Sequence, residues 1–132
     1  MNNTSRSILV FTFLALIFPG LSLSGEQLNK DSLEKLIKGN SAEGKKITWN
    51  TTYKMYFDPS GKFSRIDSLN NKEGGEWKVE NDGTLVMSGR KEKRRTVSQR
   101  SDGGYDVHNR AGDVIWTMDK ITSGNPYNLV PE

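Results

Sequence analysis

The sequence predicts an all-β fold with one short N-terminal helix, in which an antiparallel meander closes into a seven- or eight-stranded barrel. Apolar and polar residues alternate along several short segments. Turn signals recur about every ten residues after residue 40, and no central connection has the length that a parallel crossover needs. Closure is expected because it removes exposed strand edges.

The clearest hairpin surrounds the Asn-Asp-Gly sequence at residues 81–83, which fits a type I turn followed by a residue at positive φ. Closing the hairpin there places Val79 opposite Leu85 and Trp77 opposite Met87, all on one face. A two-stranded hairpin cannot bury a Trp by itself. These four side chains are therefore predicted to be core, covered by further strands.

Other segments repeat the same alternation between turns at residues 58–61, 70–72, 89–92, 101–104 and 109–112. The aromatic residues are predicted to be mostly core, although the same side chains could line an apolar pocket. The shared faces predicted for two further strands are Trp49, Thr51, Tyr53, Met55 and Phe57, and Val114, Trp116 and Met118.

A short helix is predicted over residues 30–38. Asn29 is a favourable N-cap, Gly39 suits a left-handed C-terminal cap, and Leu28 has the spacing of a hydrophobic staple with Leu33. The apolar stripe of this helix suggests a lid that packs on the sheet or over the mouth of the barrel.

Residues 1–24 are predicted to be a secretory signal peptide. Arg6 precedes an apolar run at Ile8–Phe18, and small residues lead to a cleavage site between Ser24 and Gly25. The run is about half the roughly 20 residues of a membrane span, although an uncleaved anchor is the alternative. Residues 25–132 then form a single periplasmic or secreted domain. The chain contains no Cys, so its core must hold it without disulfides.

The order of several motifs resembles the DUF995-type small exported bacterial proteins. The matching stretches are residues 28–37, 39–41, 56–61, 75–79, 82–85 and 124–129. Members often carry a Cys pair in the two strands after the Trp, where this chain has Val86 and Arg94. The resemblance implies a lipocalin-like, calycin-style barrel and an envelope location, and it implies no catalytic residue.

No residue pattern indicates a reaction, a metal site or a cofactor. His108 is the only histidine, and it lies beside a predicted turn. Asp102, Asp106 and Asp113 could converge on a calcium ion, but their spacing matches no calcium-binding loop. We therefore predict a non-enzymatic protein without catalytic residues.

The most unusual segment is the basic strand at residues 90–100, which holds six basic residues and one acid. Alternation puts Lys93 and Arg95 on the face of Val97, so that Arg95 points inward or lies at the barrel mouth. An inward arginine would need an acidic side chain or an anionic ligand. The alternative is a solvated strand whose charges prevent aggregation. The candidate partner-binding residues are Arg90, Lys93, Arg94, Arg95 and Arg100.

The sequence favours an exported binding or interaction module for an apolar or anionic partner, such as an anionic lipid, a glycan or an acidic protein. Nucleic acid is not an expected partner, and membrane contact is expected only through the signal peptide before cleavage. The alternatives are a protein inhibitor or accessory subunit that acts through its loops and the basic strand and, least favoured, an enzyme with an acidic cleft.

Overall fold

The computed structural model describes residues 25–131, and it confirms the predicted all-β barrel with one short helix. Eight antiparallel strands follow one another around the barrel, and the eighth pairs with the first. The predicted signal peptide lies outside the described residues. The elements are α1 (Lys30–Ile37), β1 (Asn40–Lys46), β2 (Thr51–Phe57), β3 (Lys62–Asp67), β4 (Lys72–Val79), β5 (Leu85–Ser88), β6 (Glu92–Gln99), β7 (Tyr105–His108), β8 (Val114–Met118) and β9 (Lys120–Ser123).

The barrel closes along one edge of β1. Lys46 of β1 pairs with Trp116 of β8, and the Asp119 N–H donates to the Glu43 carbonyl oxygen at 2.7 Å. Beyond Asp119 the chain continues along the same edge as β9, which pairs with residues 40–43. This ninth strand was not predicted from the sequence, and it protects the part of β1 that β8 does not reach.

Gly44 allows this close approach. A Cβ atom at residue 44 would lie 1.9 Å from the Thr117 carbonyl oxygen, so no larger residue fits without a backbone shift. The same oxygen accepts a hydrogen bond from the Tyr53 hydroxyl at 2.6 Å, and the Lys45 N–H donates to the Thr117 hydroxyl oxygen at 3.1 Å. The closure therefore depends on a residue without a side chain.

The predicted central hairpin is confirmed as β4 and β5. Val79 pairs with Leu85 and Trp77 with Met87, and all four side chains are buried in the core. Gly83 has φ +88°, in the region where glycine has no steric penalty. The register thus follows from the local turn chemistry.

Helix α1 covers one end of the barrel. The Asn29 side chain accepts a hydrogen bond from the Ser32 N–H at 2.9 Å, as expected of an N-cap. Leu33 and Ile37 are buried within the same cluster as the inward-facing strand residues. The side chain of Gln27 donates to the Asp82 carbonyl oxygen in the β4–β5 turn at 2.9 Å. We call this end, with the turns at 58–61, 80–84 and 100–104, the helix end.

Apolar side chains fill the barrel interior on the helix side. Phe57 and Trp77 meet edge to face with their ring centroids 5.7 Å apart, in a preferred aromatic geometry. Trp49 is an exception to the predicted core, because its side chain is 71% exposed. Trp49 lies in the turn at residues 47–50, in which Asn50 has a φ of +52°. The alternation of β2, which begins at Thr51, therefore does not extend back to Trp49.

The opposite end carries no helix among the described residues, and we call it the open end. It is formed by the loops at residues 47–50, 68–71, 89–91 and 109–113. Within residues 25–131, no helix is long enough and apolar enough to cross a membrane.

We expect Gly44→Ala to destabilise the protein by about 3 kcal/mol, because the new Cβ atom would force β1 away from Thr117. Urea denaturation would measure the loss, and hydrogen exchange at the Ile47 and Asp119 amides would locate it at the closing hydrogen bonds. Gly112→Ala is the comparison variant: nothing lies within 4 Å of the added Cβ atom, so its destabilisation would come from the backbone strain at φ +91° and should not be concentrated at these two amides. Unchanged exchange at both amides in Gly44→Ala would contradict this account.

Candidate anion-binding site at the open end

Charged side chains replace the apolar ones on the inner face of the barrel near the open end. The alternation that buries Phe63 continues to Arg65 and Asp67, and the alternation that buries Val97 runs back to Arg95 and Lys93. The inward-facing charged residues are Lys46, Arg65, Asp67, Glu73, Lys93 and Arg95. The interior is thus divided into an apolar helix half and a charged open half.

Glu73 is the centre of the first charge network. It accepts hydrogen bonds from the guanidinium of Arg65, from the Lys93 ammonium at 3.2 Å and from the Arg90 N–H at 3.3 Å. Burial raises the pKa of the Glu73 carboxyl, but the charges of Arg65 and Lys93 outweigh it and lower the pKa. Glu73 is therefore a buried carboxylate that neutralises part of the charge of two neighbouring cations.

Asp67 forms the second network at the same end. Its carboxylate accepts from the Lys46 ammonium at 3.2 Å and from the N–H groups of Leu69 and Asn71, each at 2.9 Å. Burial raises the pKa of Asp67, but the hydrogen bonds from Asn71, Lys46 and Leu69 prevail and bring it to about 2. Asp67 thus ties the loop at 68–71 to the barrel wall.

Arg95 lies one inward position closer to the core than Lys93 and has no carboxylate partner among the described residues. Its Nη1 group donates to the Arg94 carbonyl oxygen at 3.0 Å, while its Nε atom is buried without a hydrogen-bond partner. Burial lowers the pKa of the Arg95 guanidinium, and no neighbouring acid counteracts the effect. The Thr51 hydroxyl oxygen is likewise buried and unpartnered.

Two adjoining clefts of about 450 and 410 Å³ occupy the open end. They share Trp49, Arg65, Glu73 and other lining residues, so they form one continuous mouth. Seven cationic side chains face two carboxylates across the two linings. The cations are Lys46, Arg65, Lys72, Arg90, Lys91, Lys93 and Arg95.

Three of the five predicted binding residues come together in this mouth. Arg90, Lys93 and Arg95 line the larger cleft. Arg94 points to the outer face, where its Nη1 group lies 2.7 Å from Glu80 and its Nε atom 3.1 Å from Glu92.

Arg100 lies at the helix end, far along β6 from the mouth. Its guanidinium forms ion pairs with three carboxylates: those of Asp102, Asp106 and Asp119. The side-chain hydrogen bond to Asp119 is the largest of the effects that raise the pKa of Arg100. Its charge is therefore neutralised within the chain, and Arg100 does not contribute to the open-end cleft.

The sequence reasoning did not identify Lys46, Arg65, Asp67 and Glu73 as part of a site. Their signal was available in the alternation of β1, β3 and β4, because each lies an even number of residues from an inward apolar or glycine position of its strand. Isolated charges near strand ends are ordinary in soluble proteins, however, and only the strand register brings these four together.

The other candidate residues do not form a site. His108 has its Nε2 atom 2.8 Å from the Ser98 hydroxyl and its Nδ1 atom 3.1 Å from the Gly112 carbonyl oxygen. Asp102 and Asp106 both pair with an arginine at the helix end, whereas Asp113 lies in an open-end loop. Over residues 25–131, no cluster of three or more His, Cys, Asp or Glu side chains could hold a metal ion.

Comparison with protein-family models and with curated proteins finds no match to this chain.

We expect the free energy of unfolding to fall by about 2 kcal/mol as the pH drops through the range between the ordinary aspartate pKa of 3.8 and the folded-state pKa of about 2 for Asp67. The folded-state pKa is lowered, so this stabilisation is present above the ordinary value and lost at lower pH. Asp67→Asn should flatten that part of the profile, as measured by urea denaturation at several pH values. An identical pH dependence below pH 4 in both proteins would count against this role of Asp67.

Proposed function

We propose that this protein is a non-enzymatic binding protein that holds the anionic group of a small ligand in the open end of its barrel. The observation that best supports this proposal is the environment of Arg95. Its guanidinium is half-buried, lines the cleft and has no acidic partner in the described chain. A desolvated charge without a counter-charge costs considerable free energy. A bound carboxylate or phosphate would supply the missing acceptor.

The surrounding cations support an anion in preference to a neutral ligand. Lys46, Arg65 and Lys93 are each paired with Asp67 or Glu73, so the two carboxylates of the mouth are already engaged. An incoming anion would meet Arg95 directly and the remaining positive field of the lining. The planar guanidinium is suited to carboxylate and phosphate oxygens because it offers several donors in a fixed geometry.

The apolar walls support a ligand that also has a hydrocarbon part. Trp116 and Met87 line the larger cleft beside Arg95, and Trp49 stands at its rim. Below them the core residues Val97, Val107 and Met118 are fully buried. We therefore expect the ligand to occupy only the open half, with its anionic group at Arg95 and its hydrocarbon part against Trp116 and Met87.

Export to the bacterial envelope is part of the proposal. The signal-peptide pattern of residues 1–24 supports export. We also propose that this chain is related to the DUF995-type exported proteins that it resembles, and this relation would imply the same location. An envelope location would give the protein access to free fatty acids, lipid phosphates and acidic glycans.

A matched set of ten-carbon probes tests the binding site. We expect decanoate and decyl phosphate to bind in isothermal titration calorimetry, and decanol to bind at least tenfold more weakly because it carries no charge. Arg95→Gln should weaken decanoate binding about 10- to 100-fold, since charged hydrogen bonds are lost. Arg94→Gln is the control, because it removes an adjacent guanidinium from the outer face of the same strand.

Two results would contradict this proposal. One is equal affinity for decanol and decanoate, which would assign the site to the apolar group alone. The other is equal weakening by Arg94→Gln and Arg95→Gln, which would show a general effect of net charge.

A further inference from the structure

The exposed apolar side chains of the protein are concentrated at the open end. Five large hydrophobic residues of the described chain are exposed, and four of them surround the mouth. Trp49 and Leu69 are the most exposed of these four, at 71% and 69%. The four residues are Ile47, Trp49, Leu69 and Val114. The fifth, Val130, lies in the C-terminal tail.

Three of these residues are in loops, and the fourth is at the start of a strand. Ile47 and Trp49 belong to the β1–β2 loop, Leu69 to the β3–β4 loop, and Val114 is the first residue of β8. Trp49 and Leu69 line the same cleft, so they are neighbours across the mouth. Scattered apolar residues need no explanation, but a group at one end of a molecule indicates an interaction surface.

Exposed cations accompany the apolar tips. Lys72 and Arg90 line the same cleft as Trp49 and Leu69. Lys91 lies in the β5–β6 loop, and Arg110 lies in the β7–β8 loop. Two exposed acids, Glu92 and Asp113, lie at the same end, but these four cations outnumber them. The surface thus combines exposed apolar side chains with a net positive charge. This is the composition of protein surfaces that bind the interface of an anionic bilayer.

We propose that the open end docks onto an anionic lipid bilayer, with Trp49 and Leu69 entering the headgroup layer and the surrounding lysines and arginines contacting lipid phosphates. This docking departs from the expectation that only the signal peptide contacts a membrane. Trp favours this interfacial depth because its ring is apolar and its N–H is polar. Each basic residue near an anionic membrane surface adds to the attraction, which falls off within about one Debye length.

A bilayer suits this surface better than a second copy of the chain. Two copies meeting face to face at their open ends would bring two cationic rims together, which like-charge repulsion opposes. An anionic bilayer complements the same charges. Docking would also place the mouth directly against the lipids, although it depends on residues other than Arg95.

Trp49 provides the signal for the test. Trp77 and Trp116 are buried, and residues 1–24 contain no Trp. The difference in tryptophan emission between the full chain and its Trp49→Phe variant therefore reports on the open end. Membrane contact by the N-terminal apolar run adds no tryptophan signal of its own. Vesicles of phosphatidylcholine alone are compared with vesicles of phosphatidylcholine mixed with phosphatidylglycerol.

We expect the Trp49 emission to shift to shorter wavelength with the anionic vesicles, and far less with the neutral ones. Leu69→Ser combined with Lys91→Glu should weaken the vesicle affinity roughly tenfold or more. The matched control is Val130→Ser combined with Lys35→Glu, which changes an exposed valine of the tail and an exposed lysine of α1 at the helix end. This control should bind like the wild type.

Unchanged Trp49 emission, or equal loss of affinity in the control variant, would overturn the proposal. Sedimentation velocity is the second measurement: a dimer that the Leu69 and Lys91 substitutions dissociate would assign this surface to a second copy. Arg95→Gln should keep its vesicle binding even if it loses decanoate. A failure of docking is therefore distinguishable from a failure of the ligand site.

Discussion

The cost of burying charge governs the open half of this barrel. Four cations point inward there, and two carboxylates, Glu73 and Asp67, are placed to compensate three of them. Without those acids the wall strands would repel one another and the loop at 68–71 would lose its anchor. With them, Arg95 is the one of these four inward cations that has no acidic partner in the described chain. That single imbalance distinguishes the mouth from an ordinary polar barrel end.

The other half determines which end stays open. Leu33 and Ile37 of α1 complete the apolar cluster at the helix end. The burial of these side chains therefore both stabilises the helix and closes this end of the barrel. Gly44 lets β1 approach β8 closely enough to complete the ring. Buried apolar side chains fill the closed half, and Arg95 lies between them and the open end. A ligand that contacts this guanidinium must therefore enter from the loop side.

Local rules were sufficient to predict much of the fold. The turn at 81–83 determines the pairing of β4 with β5 without reference to tertiary contacts, and Asn29 and Gly39 mark the ends of the helix. Trp49 was predicted to be core because it has the same parity as Thr51. Its exposure results from the turn at Asn50, which breaks the alternation. The ninth strand also escaped prediction, because it depends on the edge of β1 that β8 leaves unpaired.

The candidate site was only partly predictable for a related reason. Alternation alone indicated that Lys93 and Arg95 face inward, but the acids that neutralise the neighbouring cations come from other strands. Arg65 meets Glu73 because β3 and β4 pair in that register, and a shift by one residue would reverse both faces. Export, family and ligand stay predictions, since the register of a barrel carries no information about them.

The many cations of β6 can lie on one strand because acidic side chains compensate the charges of its two faces separately. On the outer face, Arg94 is paired with Glu80 and Glu92, and beyond the end of the strand Arg100 meets three aspartates. On the inner face, Lys93 shares Glu73 with Arg65, and only Arg95 is left over. The positive charge of β6 that no acid compensates is thereby placed at the mouth. A charge placed in this way acts on approaching anions as a directed field, whereas the same charges spread over the surface would chiefly favour solubility.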